Sequence, residues 1–333
     1  MKKILKKVGL IFVSLVIILI AIFIMGPKLR QPVFSNELPP IDIELSELNK
    51  YVESKEVVSG EIKTDNEARL IWHDSSMEMT EYALVYLHGF GASYREGYPV
   101  NMALADSLNA NQYLARLAGH GLVKEDAFVG LTAEAYMASA FEAVSIGKKL
   151  GRKLILVGTS TGASQALYIA SQFPDVVEAL VLYSPYIELA DVGTQGLVRG
   201  PWAGQIMEFV FTKDVTYTER PDSVAAYWST FYHYDAYYSL FSMIKATMNT
   251  QTYQKVSCPV FLGYYYKDEE HQDDVVSVKA MHKMFESLGT ENKKQIAFPE
   301  AGDHVIASSL RSHSWTAVQD SSWAFLEQNL LLN

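Results

Sequence analysis

One pentapeptide in this sequence carries a serine in a setting that could activate it as a nucleophile. Gly158-Thr159-Ser160-Thr161-Gly162 follows the mostly apolar stretch 153–157 and precedes a helical pattern at 163–172. A serine on a sharp turn between a strand and a helix is strained and exposed, and flanking glycines let the backbone pass close to it. The simpler alternative is a glycine-bounded turn whose serine only caps the helix. The placement after a strand favours Ser160 as the nucleophile of an acyl-transfer reaction.

A second glycine-rich turn could supply the electrostatic half of that chemistry. His88-Gly89-Phe90-Gly91 follows the unbroken apolar stretch 82–87. Acyl transfer needs two N–H donors about 3 Å from the oxygen on which negative charge develops. We assign these donors to the backbone N–H groups of Phe90 and Thr161, the second of which lies at the start of a helix. For the His88 side chain we expect a structural hydrogen bond within the turn.

These turns need a scaffold, and the pattern of the chain predicts which one. Strand and helix patterns alternate with short links, which predicts an α/β fold with a mostly parallel central sheet and helices on both faces. In such sheets the active site forms beyond the carboxyl ends of the strands. The predicted strands are 68–73, 82–87, 112–116, 153–157, 177–183, 260–266 and 294–298, and the predicted helices are 102–109, 133–150, 163–172 and 277–288.

With these residues the chain resembles the α/β-hydrolase fold over about residues 56–330. It is most similar to the capped serine esterases and lipases, such as monoacylglycerol lipases and carboxylesterases. The resemblance rests on the turn 88–91, on Ala118-Gly119-His120-Gly121, on the serine pentapeptide 158–162, and on a late acid and histidine. It implies the chain order nucleophile, acid, histidine, and a helical cap inserted after the sixth strand, here at about residues 185–255.

The resemblance also selects the histidine. His304 follows a predicted strand in the loop 299–306 and matches the family's last histidine loop. In that position the imidazole takes the proton of the serine and later gives it to the leaving group. His282 lies within an amphipathic helical pattern, and His233 lies in the aromatic-rich segment that we interpret as cap. The alternative for His304 is an exposed loop residue without a catalytic role.

The acid has two candidates in the acidic stretch after the strand 260–266. Counted forward from the strand, Asp268 holds the family position; counted backward from Ser277, which caps the next helix, Asp273 does. About five extra residues separate the two positions relative to the family. We favour Asp273 and keep Asp268 as the alternative acid. A metal site involving His271 is a further alternative.

Aromatic residues dominate the segment between Ser184 and Ser257. Aromatic side chains at helical spacing are explained equally well by core packing. As a cap over Ser160 they would instead line an apolar pocket with polar tips, which suits a medium acyl chain or an aromatic ester.

The amino-terminal segment predicts membrane attachment. Residues 8–26 contain Ser14 as their only polar side chain and would form a helix about 28 Å long, close to the thickness of a bilayer core. Four lysines precede this run and only Lys28 and Arg30 follow it closely, so the amino terminus is expected in the cytoplasm and the body outside. A cleaved signal peptide is the alternative, but no small-residue cleavage site follows. We therefore predict an anchor at 1–30, a tether at 31–55 and a hydrolase domain at 56–333.

Composition excludes several other classes of protein. The chain has 28 Lys and Arg against 38 Asp and Glu, a net charge of -10, and its first 30 residues hold basic but no acidic side chains. So acidic a body has no electrostatic surface for a phosphate backbone, which argues against nucleic-acid binding. The single Cys258 cannot form an intrachain disulfide or a thiolate zinc cluster.

Together these features predict a membrane-anchored serine hydrolase of lipid-like or short-to-medium acyl carboxylic esters, working through an acyl-enzyme without a cofactor or a metal. Its partners would be a small-molecule ester and, through the amino-terminal helix, the membrane. A peptidase or amidase on the same fold, or a catalytically silent fold that binds a ligand, are the alternatives. Dehalogenase and epoxide-hydrolase chemistry would need an acidic nucleophile in place of Ser160.

Overall fold

The computed structural model describes residues 2–211 and 215–331. Its strands are β1 Arg69–Ile71, β2 Thr80–Leu87, β3 Asn111–Leu114, β4 Gly151–Thr159, β5 Val177–Tyr183, β6 Thr216–Tyr217, β7 Phe231–Tyr232, β8 Val260–Tyr264 and β9 Lys293–Ala297. Its α-helices are α1 Lys2–Ile24, α2 Leu48–Val58, α3 Val100–Ser107, α4 Ala133–Leu150, α5 Thr161–Gln172, α6 Val192–Arg199, α7 Ala203–Phe211, α8 Asp222–Ala225, α9 Tyr234–Thr247, α10 Thr250–Gln254, α11 Val278–Glu286 and α12 Trp315–Leu326. Short 3₁₀ turns occupy Leu45–Glu47 and Tyr94–Glu96, and a π-helical turn covers Glu327–Leu331.

Seven strands form one sheet in the order β1-β3-β2-β4-β5-β8-β9. Every neighbouring pair is parallel except β1 with β3, which is antiparallel. The prediction of an α/β fold with a mostly parallel sheet is therefore confirmed. Predicted and observed bounds coincide for α4 and β5, and β1 is shorter than predicted because only three of its residues pair with β3.

The central strands are buried on both faces, as expected for a parallel sheet covered by helices. In β2, Ala83, Val85 and Leu87 belong to the core on one face, with α4, α5 and α11. The intervening Leu84 and Tyr86 belong to the core on the other face, with α3 and α12. Packing on both faces holds the carboxyl ends of these strands in place at one edge of the sheet. The loops after β2, β4, β8 and β9 carry the site residues described below.

Between β5 and β8 the chain leaves the sheet for a long helical segment, which we call the insertion (residues 184–259). It contains α6 to α10 and the antiparallel pair β6–β7. Val224 and Trp228 of the insertion pack in one cluster with Ala92, after β2, and Val305, after β9. The insertion therefore contacts both of the loops that flank Ser160.

The amino-terminal helix α1 is apolar, and its membrane-length window Lys6–Ile24 has no buried residue. The segment after it lies on the body. Leu29, Ile41 and Leu48 are buried in the main core, and the Trp202 N–H of the insertion donates to the Pro27 carbonyl at 2.6 Å. The Trp202 ring N–H donates in addition to the Phe23 carbonyl at 3.1 Å. The end of α1 and the chain that follows are thus bonded to the insertion and to the core.

Candidate active site

Ser160 lies on the sharp turn between β4 and α5 in a strained backbone conformation. Its φ is 53° and its ψ is -119°, a region that residues with a side chain rarely adopt. Its N–H donates to the Tyr183 carbonyl at 2.9 Å, and its own carbonyl accepts the N–H groups of Ser164 and Tyr186, each at 3.1 Å. These three bonds from α5 and from the end of β5 hold the strained conformation.

The two glycines of the pentapeptide are required by space. A Cβ at Gly162 would overlap the backbone carbonyl groups of Leu87 and His88, and a Cβ at Gly158 would lie 2.6 Å from the Ala163 nitrogen. Backbone atoms cannot move aside as a flexible side chain can. The first turn of α5 therefore approaches the end of β2 as closely as it does only because residue 162 has no side chain.

His304 and Asp273 form a buried pair at the end of the sheet. Nδ1 of His304 lies 2.6 Å from Oδ2 of Asp273, whose side chain has no exposed surface. The other carboxylate oxygen of Asp273 accepts the backbone N–H groups of Val275 and Val276, both at 2.9 Å. Burial alone lowers the pKa of His304, but the charge and hydrogen bond of Asp273 outweigh it, so the net shift of that pKa is upward.

The second nitrogen of His304 is left without a protein partner. Nε2 is buried and makes no hydrogen bond within the described residues. Because Nδ1 faces the carboxylate, the neutral ring carries its proton on Nδ1 and presents a lone pair at Nε2. His304 and Ser160 line the same cavity. A proton acceptor is therefore available on the cavity that contains the serine.

The structure shows why Asp268 and Asp273, the two candidate acids between β8 and α11, lie in different places. Residues 267–271 make a short excursion that is closed by a bridge between Tyr266 and Gln272. Asp268 lies on this excursion, where its Oδ1 is 2.8 Å from Nδ1 of the exposed His271. The Asp273 N–H then donates to the Tyr265 carbonyl at 3.2 Å, which returns the chain to the end of β8.

The extra residues thus separate Asp268 from the position that faces His304. No group of three or more His, Cys, Asp or Glu side chains within residues 2–211 and 215–331 is arranged to hold a metal ion.

A cavity of about 320 Å³ lies beside Ser160, His304 and the two predicted oxyanion donors. Ser160, His304, Phe90 and Thr161 all line it. Most of the remaining wall is apolar or aromatic and comes from the insertion and from the loop before α11: Tyr186, Leu189, Val224, Trp228, Tyr237, Leu240, Phe241, Val275 and Val276. Ser160, His304, Phe90 and Thr161 therefore share one cavity, and Asp273 joins them through its contact with His304. Asp268 neither lines the cavity nor bonds to His304 within the described residues.

The turn that carries Phe90 is held from two sides. From below, the Gly89 N–H donates to the carboxyl group of Glu96, which is buried and lines the cavity. From above, the Gly91 carbonyl accepts the Ser229 N–H of the insertion at 2.6 Å, and a Cβ at Gly91, whose φ is +77°, would overlap the Tyr232 hydroxyl. These contacts leave the Phe90 peptide little freedom.

Glu96 is a residue that sequence reasoning missed. Burial raises its pKa to about 8, although the Gly89 N–H opposes the shift. It is therefore mostly protonated at neutral pH. A carboxylate in a loop is usually exposed, and nothing in the local pattern around residue 96 indicates that this one is covered. Arg220 and Arg311 also line the cavity, and the local sequence around them does not indicate it.

The His88 side chain has a structural role, in agreement with the sequence analysis. Its Nε2 accepts the Leu117 N–H at 3.0 Å, so its Nδ1 donates to the Gly89 carbonyl at 2.9 Å. Burial lowers its pKa to about 4, which keeps the ring neutral. His88 thereby ties the loop after β2 to the loop after β3.

Comparisons with known proteins are consistent with this architecture. Residues 84–317 match the alpha/beta hydrolase family. No curated protein sequence matches the chain. Among solved structures, a metagenome-derived lipolytic enzyme of the LipS and LipT pair aligns with a TM-score of 0.64 at 15% identity, covering 80% of this chain and 100% of that one.

Two further solved structures share the fold. A soluble variant of monoglyceride lipase from Saccharomyces cerevisiae, in complex with a substrate analog, aligns with a TM-score of 0.58 at 17% identity over 79% of this chain and 91% of that one. BpoC from Mycobacterium tuberculosis H37Rv, named a putative non-heme bromoperoxidase, aligns with a TM-score of 0.54 at 15% identity over 80% of this chain and 97% of that one. At such identities the likeness concerns the fold, and the chemistry must be argued from the site.

The close approach at Gly162 leads to a stability prediction. Gly162→Ala should lower the free energy of unfolding by about 2 kcal/mol or more, because the methyl group meets backbone atoms of β2 that cannot repack. Gly196→Ala in α6 is the matched control. A Cβ at residue 196 meets nothing within 4 Å, and alanine favours a helix, so stability should stay equal or rise by less than about 1 kcal/mol. Urea denaturation of the detergent-solubilised chain measures both; equal midpoints for the two variants would contradict the argument.

Proposed function

This chain belongs to the alpha/beta hydrolase family, and from that membership we propose that it hydrolyses carboxylic esters through an acyl-enzyme formed on Ser160. The observation that carries the proposal is the free Nε2 of His304, which is buried on the cavity that also contains Ser160. On the opposite side of the ring Asp273 fixes the tautomer. A histidine held in this way is arranged to receive a proton from one side only.

The proposed reaction has two halves. Nε2 of His304 takes the Ser160 proton while Oγ attacks the ester carbonyl carbon, and Asp273 stabilises the imidazolium that forms. The N–H groups of Phe90 and Thr161 stabilise the oxyanion. His304 then gives the proton to the leaving alcohol, which departs and leaves an acyl-serine. Water, activated by the same nitrogen, hydrolyses that ester and restores the enzyme.

The walls of the cavity support an acyl or aromatic ester of modest size. They are largely aliphatic and aromatic, and the volume of about 320 Å³ lies at the small end of the range for ligand pockets. Phe241 and Leu240 of α9 can contact an acyl chain, while tyrosines such as Tyr237 combine a ring face with a polar tip. In this proposal the insertion serves as the cap over the site.

If Ser160 is the nucleophile, replacing it should abolish both ester turnover and labelling by a serine-directed probe. Ser160→Ala should reduce ester turnover by at least about 10³-fold, because the members of a triad act as a unit. A fluorophosphonate probe should label the wild-type chain on Ser160 and should not label the variant. His304→Ala should cause a comparable loss of turnover.

His313→Ala is the control, since His313 lies in the same part of the chain but does not line the cavity. It should keep turnover within about threefold, well under 1 kcal/mol of barrier. A wild-type chain that the probe does not label would favour a silent, ligand-binding fold. Hydrolysis of aminoacyl anilides without hydrolysis of acyl esters would favour a peptidase or amidase.

The two acids should differ sharply. Asp273→Asn removes the charge that orients and stabilises the imidazolium and should lower kcat by about 100-fold or more. Asp268→Asn changes an exposed carboxylate paired with His271 and should stay within about tenfold. Steady-state assays with one acyl ester compare kcat for the two variants. The reverse ranking would move the acid to Asp268.

A pH profile separates loss of the acid from general damage. Because Asp273 raises the pKa of His304, the acidic limb of wild-type kcat/KM should lie above pH 6.5, the ordinary value for histidine. The neutral ring is the active base, so activity rises with pH through that limb. Asp273→Asn should move the limb to lower pH, and Asp268→Asn should leave it in place.

We propose further that α1 anchors the enzyme in a membrane with the amino terminus in the cytoplasm and the catalytic body outside. The support is the 19-residue window Lys6–Ile24, with a mean hydropathy of 3.0 and no burial, and the four lysines at its amino-terminal end. The full chain should stay with membranes during carbonate extraction, and protease added outside should reach the body. A mature chain that begins near residue 27 by mass spectrometry would establish a cleaved signal, and protection of the body would overturn the orientation.

A further inference from the structure

One cation on the wall of the cavity beside Ser160 has no anionic partner within residues 2–211 and 215–331. Arg220 follows β6 in the insertion, is partly buried, and lines the cavity that contains Ser160 and His304. Its Nε donates to the Ser229 carbonyl at 3.1 Å, and its Nη2 donates to the Tyr232 hydroxyl at 3.2 Å. Among the described residues no carboxylate forms an ion pair with it. Both of these partners are neutral, so no described residue compensates its charge.

The other ionisable groups of the cavity are already paired or neutral. Arg311 forms an ion pair with Asp303 at 2.6 Å, and His304 faces Asp273. Glu96 is buried, and its pKa of about 8 leaves it mostly protonated at neutral pH. The positive charge of Arg220 is therefore the unbalanced one on this wall.

A second cation lies close to Arg220 and adds to the same field. Nζ of Lys63 donates to the carbonyl groups of Ala225 and Trp228, at 3.0 and 2.9 Å, and forms no ion pair with a described carboxylate. Burial, and then repulsion by Arg220, lower the pKa of Lys63. The two neighbouring cations repel each other, and a bound anion would offset that repulsion.

Arg220 is also linked, through the residues that it bonds, to the turn that carries Phe90. Ser229 and Tyr232, which hold its guanidinium, are the residues that contact Gly91 of the turn that carries Phe90. A guanidinium fixed by two bonds loses little freedom on binding, and its planar N–H groups match the oxygens of a carboxylate or a phosphate. The arrangement has the features of a recognition site for an oxyanion.

We propose that Arg220 binds an anionic oxygen group, a carboxylate or a phosphate, carried by the ester that Ser160 cleaves. This inference rests on the proposed function, because the anion and the scissile ester occupy one cavity. Arg220 acts in recognition and takes no part in proton transfer. The substrate class that follows is an ester with an apolar body and one anionic end.

Two pairs of substrates test the inference with the full-length chain in detergent. The first pair places a carboxylate on the acyl side: the 4-nitrophenyl monoester of glutaric acid against 4-nitrophenyl pentanoate. The second places a phosphate on the alcohol side: a 1-acylglycerol 3-phosphate against the corresponding monoacylglycerol. The measured quantity is the ratio of kcat/KM for the anionic ester to that for its neutral partner, in the wild type, Arg220→Gln and Arg220→Lys.

In at least one pair the wild-type ratio should exceed 1, and Arg220→Gln should lower that ratio by about tenfold or more, which corresponds to about 1.4 kcal/mol. Arg220→Lys keeps the charge and should retain a ratio between the two. Added salt should reduce the ratio in the wild type more than in Arg220→Gln. The pair that responds identifies whether a carboxylate or a phosphate is bound.

Other outcomes overturn the inference. If Arg220→Gln lowers kcat/KM equally for both members of each pair, Arg220 only supports the β6–β7 pair, and recognition of an anion is rejected. A wild-type ratio at or below 1 in both pairs rejects it as well. Failure of the proposed function is distinct, because a wild-type chain without ester turnover and without fluorophosphonate labelling at Ser160 removes the site on which the inference depends.

Discussion

The contact between the first turn of α5 and the end of β2 is the constraint on which the rest of the site depends. Residue 162 has no side chain, so the helix can lie directly against the carbonyl groups of Leu87 and His88. That distance brings the strained Ser160 beside the turn that carries Phe90. A helix displaced by the width of one methyl group would separate the serine from the Phe90 peptide, since packed cores transmit such shifts.

The pairs and bonds around this contact fall into two groups with different physical tasks. Neutral bonds, such as those of His88 to Leu117 and Gly89, fix the loops without adding charge to the cavity. The charged group Asp273 is satisfied on both oxygens: one receives the backbone N–H groups of Val275 and Val276, and the other faces His304. A buried carboxylate is tolerated here because each of its oxygens has a partner.

Much of the fold and part of the site could be predicted because their signals are local. The turn at Ser160 lies between β4 and α5, which follow one another within residues 151–172, and α4 and β5 have clear periodicities. The acid remained open because counting forward and counting backward disagreed, and only the excursion at 267–271 explains the disagreement. Glu96 and Arg220 could not be found, since their burial depends on elements distant in sequence: the loops of the sheet and the insertion.

The segment between α1 and α2 bears on how the protein can be handled as a smaller molecule. Leu29, Ile41 and Leu48 are part of the core, and loss of one buried Leu or Ile side chain costs about 2–5 kcal/mol. A domain's total stability is only about 5–15 kcal/mol. A soluble version obtained by trimming the amino terminus should therefore keep everything from Pro27 onwards, and it would still give up the bond from the Trp202 ring to Phe23. The core of this protein extends beyond the central sheet and includes side chains from the segment that follows α1.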